Sequence, residues 1–107
     1  MRWLALIVSF VTVSFSPPSW ADAKFNLGKQ KAKVCMTCHG EKGISKISTY
    51  PKLQGQHIDY QVAALKSYKK RQRNGGLANL MHAYADKLSE KDMQDIAYYY
   101  NKAGQKR

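Results

Sequence analysis

A chain of 107 residues carries one domain as its expectation, and 18 Lys and Arg against 7 Asp and Glu give it a formal charge of +11. Seven tyrosines, a 44% hydrophobic content and the lack of any low-complexity run exclude a disordered tail. There is no internal repeat, and two cysteines could close only one bridge.

The chain begins "MRWLALIVSFVTVSFSPPSWA". Arg2 is followed by an apolar run from Trp3 to Phe15, a Pro17-Pro18 break, and the small residues Ser19 and Ala21 around Trp20. That layout predicts a secretory signal peptide over residues 1–21, cleaved after Ala21. As a retained anchor the run is short, since a spanning helix needs about 20 apolar residues, and the two prolines stop a helix. The expectation is therefore an exported protein of residues 22–107 with no stable membrane insertion. Loss of Arg2 leaves its charge at +10. A domain this small buries little surface and commonly needs a staple. Export permits disulfides, but Cys35 and Cys38 could close only one very short loop.

The first helix is expected from about Asn26 into Cys35, with Leu27, Val34 and Cys35 facing inward. The segment "VCMTCHG" follows at Val34–Gly40. From Gly40 to Gln56 the pattern reads as loop, punctuated by Gly43, Pro51 and Gly55. A middle helix is expected from about Ile58 to Lys70, with Ile58, Val62, Leu65 and Tyr68 on one side, ended by Gly75-Gly76. A short helix is expected near Leu77–Tyr84. The last helix has the clearest signals: Ser89-Glu90-Lys91-Asp92 has the form of a capping box, and Met93, Ile96, Ala97 and Tyr100 form a stripe of helical period. No segment alternates as a strand pair does. The fold class is all-α, with a thin core that an apolar group at its centre would complete.

Three chemistries compete for "CMTCH". A redox dithiol also uses C-x-x-C but sits beside a βαβ pattern, which is absent. A zinc site takes four ligands, usually as two pairs, and only His57 and His82 remain to supply a second. The third is covalent haem attachment, whose signature is C-x-x-C-H. Each thiol can add across one vinyl group, and two intervening residues let both sulfurs reach one edge of the ring. His39 then lies under the iron as an axial ligand. For the opposite ligand there are four methionines. Met1 leaves with the signal, Met36 is confined between the two cysteines, and Met93 belongs to the apolar stripe. Met81 lies 42 residues after His39, beyond a Gly-Gly turn, and is the expected sixth ligand; its neighbour His82 is the rival. Met/His ligation raises the potential.

With these residues in place, the chain resembles the class I c-type cytochromes, near the small bacterial monohaem group and the domains of cytochrome c4 and c553. The resemblance covers nearly all of residues 24–103. It rests on Gly28 seven positions before Cys35, "CMTCHG", "YPKLQGQ" at Tyr50–Gln56, the Tyr60…Leu65…Tyr68 helix, Met81 seven before "LSEKD", and "DIAYYYNK" at Asp95–Lys102. It departs from the family in "LQGQ", where "LAGQ" is commoner, and in His82 directly after Met81. The resemblance implies about four helices wrapped around one haem. It implies that Gly28 or Phe25 meets an aromatic of Tyr98–Tyr100 where the terminal helices cross. It also implies that the Pro51 carbonyl orients His39 and that Leu53 packs on the haem.

The resulting expectation is a periplasmic respiratory electron carrier, not an enzyme, holding one haem c and its iron through Cys35, Cys38, His39 and Met81. Its partners are redox proteins (an oxidase, a reductase or a peroxidase), and acidic ones suit its charge. Lys66, Lys69, Lys70, Arg71 and Arg73 form the candidate docking patch. They could equally keep the protein soluble or set a cation near a haem propionate. Nucleic acid is an unsuitable partner, since export and the lack of a recognition motif both oppose it. If the sixth position is open, the alternative is a gas sensor or a small peroxidase-like haem enzyme. A subunit of a larger oxidoreductase is the other alternative. His57 has no assigned role beyond a solvent-facing helix start.

Overall fold

A computed structural model describes residues 2–17 and 19–105. Met1 and Pro18 of the expected leader lie outside the described residues. Residues 2–17 carry no helix or strand, and their large apolar side chains are exposed, Trp3 at 92% and Phe15 at 92%. Among the described residues no helix is long and apolar enough to cross a membrane.

The rest is helical. The helices are α1 (Trp20–Lys31), α2 (Lys33–His39), α3 (Ile58–Lys69), α4 (Leu80–Asp86) and α5 (Glu90–Lys102), and a 3-10 turn at Gly76–Asn79 leads into α4. No strand occurs among the described residues, as the missing alternation requires.

α5 is the element that the sequence specifies most fully. The Ser89 hydroxyl accepts from the Asp92 N–H, and the Asp92 carboxylate accepts from the Ser89 N–H, so the capping box closes in both directions. Its stripe of Met93, Ile96, Ala97 and Tyr100 is buried, each at 3% exposure or less. Tyr99 is buried as well, which widens the face to meet α1 on one side and α3 on the other.

The first helix differs from expectation. It starts at Trp20, where the Ser19 hydroxyl accepts from the Asp22 N–H. It breaks at Ala32, and a second helix then carries the cysteines. Leu27 and Val34 are exposed, not inward. The inward positions are Phe25, Gly28 and Ala32, one helical face at i, i+3 and i+7. Gly28 is there for proximity: a Cβ on it would lie 2.1 Å from the Asp95 carbonyl oxygen and 2.9 Å from Tyr99 Cβ. The Phe25 and Tyr99 rings pack with centroids 5.0 Å apart. Ala32, Ile96, Tyr99, Tyr100 and Ala103 form the buried cluster, with Met36 and Leu53 packed against it.

A buried carboxylate joins the same two helices. Asp95, 1% exposed, sits beside the ammonium groups of Lys31 at 2.8 Å, Lys91 at 3.0 Å and Lys24 at 3.3 Å. Burial opposes its ionisation, but the three cations outweigh that and hold its pKa at about 2. The long loop after α2 is tied to α5 from several points. The Gly55 N–H donates to the Tyr100 carbonyl at 3.0 Å, Asn101 Nδ2 to the Gln56 carbonyl at 2.9 Å, and the Tyr99 hydroxyl to the Glu41 carbonyl. Buried Gln61 of α3 donates to the carbonyls of Gln56 and Ala97. These bonds satisfy loop carbonyls that would otherwise be costly to cover.

Candidate functional site

α2 is a two-turn helix with both cysteines on it. Cys35 and Cys38 stand at i, i+3, so their side chains share a face. They are not bonded to each other, and each is half-buried. Burial, and secondarily the charge of Cys38, pushes the Cys35 thiol up to about 11. A reactive redox dithiol needs the opposite, a thiol lowered toward neutral pH.

α2 ends at His39 because Gly40 turns the chain at φ 85, where a Cβ would lie 2.2 Å from the Ile44 carbonyl oxygen. The loop then returns, and Pro51 comes back to His39. The buried His39 donates from Nδ1 to the Pro51 carbonyl at 2.9 Å. A carbonyl can only accept, so Nδ1 carries the proton here and Nε2 is the nitrogen left for another partner. The Tyr50 ring lies 6.4 Å from the imidazole.

These residues face a cavity of about 320 Å³, a size at the lower end of ligand pockets, about 300–1,000 Å³. Cys35, Cys38, His39, Pro51 and Leu53 line it from the α2 side and the loop. Ala64, Leu65 and Tyr68 of α3 form a wall, and Leu77, Leu80, Met81 and Tyr84 close it from α4 and the preceding turn. The structure therefore gathers all six residues singled out from the sequence: Cys35, Cys38, His39, Pro51, Leu53 and Met81.

The other methionines stand elsewhere. Met93 is 2% exposed within the core, and Met36 packs against the buried cluster. His82 is not among the residues lining the cavity. Its Nε2–H donates to the Arg73 carbonyl at 2.8 Å. His57 is exposed at the start of α3.

Arg73 is a lining residue that sequence reasoning did not place. It is the one Lys or Arg among the residues lining the cavity, which include no Asp or Glu. Its guanidinium lies over the Tyr68 ring, 4.9 Å from the centroid. In sequence it was one of five cations in the Lys66–Arg73 patch, and nothing local set it apart. Three other cations of the patch are engaged at the surface. Lys66 pairs with Glu90 at 2.8 Å, Lys69 donates to the Leu88 carbonyl at 2.6 Å, and Arg71 pairs with Asp86 at 2.8 Å.

The donor set suits a large, mostly apolar group held at one edge. Two thiols rise from one helix face, an oriented imidazole stands beside them, and a thioether and a single cation occupy the far walls. It does not suit a bare metal ion: among the described residues no three His, Cys, Asp or Glu side chains come together as ligands.

A family model described as Cytochrome c matches residues 25–103. The chain is 42% identical over 74 residues to cytochrome c-554(548) of Halomonas halodenitrificans, covering 69% of this chain and 89% of that protein. It is 39% identical over 74 residues to a cytochrome c4 of Thiocapsa roseopersicina, covering 68% of this chain and 36% of the relative. The crystal structure of reduced recombinant cytochrome c4 from Pseudomonas stutzeri superposes with a TM-score of 0.65 at 27% identity, over 75% of this chain and 48% of that one. The chain thus spans about a third to a half of the cytochromes c4 that it matches.

Proposed function

The chain belongs to the cytochrome c family, whose group is covalent haem c, and on that premise we propose that it is a periplasmic electron carrier with one haem on Cys35 and Cys38. The observation that carries the reading is the convergence of two free thiols, an oriented imidazole and one methionine on a single largely apolar cavity. When bound, the haem supplies one-electron chemistry between ferrous and ferric iron.

The chain's own residues do the rest. Cys35 and Cys38 would hold the group through thioethers. His39, held by the Pro51 carbonyl, would offer Nε2 to the iron; such a bond fixes the tautomer and the ring orientation. Met81 would present its sulfur as the other. Leu53, Leu65 and Tyr68 line the cavity and would keep water from the group, an environment that favours a higher potential. Arg73, the one Lys or Arg of the lining, would face the haem propionates.

Export through residues 1–21, with the domain at 22–107, fits the apolar leader, whose large side chains from Trp3 to Phe15 are exposed. Partners are redox proteins, and the +10 charge of the exported chain favours acidic ones, with encounter rates that fall as salt rises. Optical spectra of the oxidised and reduced protein, the latter with carbon monoxide, test the reading. A low-spin spectrum with a sulfur-to-iron band and no response to the gas is expected. A high-spin spectrum, or a shift with the gas, would overturn the closed-carrier reading and favour a sensor or a small haem enzyme.

A further inference from the structure

α4 carries Met81 yet has little of its own to hold it. It is seven residues long, and no side chain caps its N-terminus. A helix of two turns is unstable alone, so the place of Met81 depends on what α4 is fastened to. Both side-chain fastenings reach the same short turn after α3. Near the N-terminal end, His82 donates from Nε2 to the Arg73 carbonyl at 2.8 Å. At the C-terminal end, Asp86 takes both arms of the Arg71 guanidinium, at 2.9 and 2.8 Å.

The turn is itself held firmly. Arg71 has φ 59, the only positive φ outside glycine among the described residues, a conformation unfavourable to any residue with a Cβ. The same guanidinium that grips Asp86 also donates to the carbonyls of Tyr68 and Lys69, closing the end of α3. Arg73 is fixed by its guanidinium over the buried Tyr68 ring. The His82 ring packs 6.5 Å from that ring.

We propose that His82 is a positioning residue for Met81: its hydrogen bond to the Arg73 carbonyl holds the first turn of α4 so that the sulfur stays over the cavity. The Arg71–Asp86 pair is a second anchor, at the opposite end of α4. The inference rests on the reading of Met81 as sixth ligand. It assigns His82 a task opposite to that of a rival ligand, since its Nε2 is committed to the Arg73 carbonyl and the residue does not line the cavity.

The test compares the mature haem-loaded protein with His82→Phe, His82→Gln and Met81→Ala. Phenylalanine keeps a ring against Tyr68 and loses the donor; glutamine restores an N–H at similar reach. The readouts are the sulfur-to-iron band and carbon monoxide binding to the reduced protein, with covalent haem content as the check on assembly. Loss of one ordinary hydrogen bond predicts a rise of about three- to tenfold in gas binding for His82→Phe, with a weakened band. His82→Gln should return both toward the parent. An unchanged band and gas binding in His82→Phe would overturn the inference, as would a loss that His82→Gln does not repair. If the parent itself lacks the band, the Met81 reading falls and the anchor falls with it. If the parent has the band and Met81→Ala removes it, while His82→Phe changes nothing, only the anchor falls.

Discussion

Gly28 lies directly against the Asp95 carbonyl, so close that a Cβ at Gly28 would stand 2.1 Å from the oxygen. The nearest obstacles include backbone of α5, which cannot swing aside as a side chain can. Gly28→Ala is therefore expected to push α1 off α5 and to lower stability by about 1–3 kcal/mol. Gly28 does not line the cavity, so the visible spectrum at low temperature should change little. Guanidinium unfolding of the haem-loaded protein, followed by tyrosine fluorescence and by the visible band, measures both.

The same crossing predicts acid lability. Asp95 is held at about 2 in the fold, against an ordinary aspartate value of about 3.9. A carboxylate lowered in the fold stabilises it above the unfolded pKa and loses that contribution as pH falls through the folded one. Asp92 behaves likewise, lowered to about 2, chiefly by the hydrogen bond from Lys31. Stability should be flat from neutral pH to about 5 and should then fall toward pH 2. Asp95→Asn should flatten part of that slope and cost about 2 kcal/mol at neutral pH. Thermal melts across pH 2–7 give the comparison.

Met81→Ala should remove the sulfur-to-iron band, let carbon monoxide bind the reduced protein and lower the potential, since a Met/His pair raises it. Met93→Leu is the contrasting variant. Met93 is a core residue at 2% exposure, so a volume-conserving exchange should keep the band and cost under about 1.5 kcal/mol. A band lost in Met93→Leu and kept in Met81→Ala would reverse the assignment.

Removing residues 1–21 should leave the fold intact, because the side chains from Trp3 to Phe15 are exposed. It should not be wholly neutral. Ser19 caps α1, and Trp20 lies under the Lys24 ammonium at 5.3 Å. A loss of about 1 kcal/mol is expected from the cap. Mass spectrometry of the exported protein should find a start at Asp22 and the mass of one haem.

Much of the site was legible because its information is local. The C-x-x-C-H spacing lies within one helix, the capping box lies within one turn, and the α5 stripe repeats with helical period. The break at Ala32 was not legible, since the residue is a good helix former and no Gly or Pro marks the place. Leu27 looked like a core residue by hydropathy alone, yet the face buried against α5 is set by Phe25, Gly28 and Ala32, where the small residues let the backbones approach. Arg73 and His82 could not be placed for a different reason. Their roles depend on a turn fixed by Arg71 in a conformation that sequence patterns reserve for glycine, and on contacts between separate helices.

The Lys24–Asp95 contact joins residues 71 apart, which makes the domain a loop fastened at its ends. A chain is made from its N-terminus at about 5–20 residues per second. The two cysteines of α2 are therefore complete for several seconds before α5 exists to cover the core behind them. During that interval the wall of the cavity nearest the thiols is present and its backing is not. The order in which the chain grows thus completes the helix that carries both cysteines before the helix that backs it.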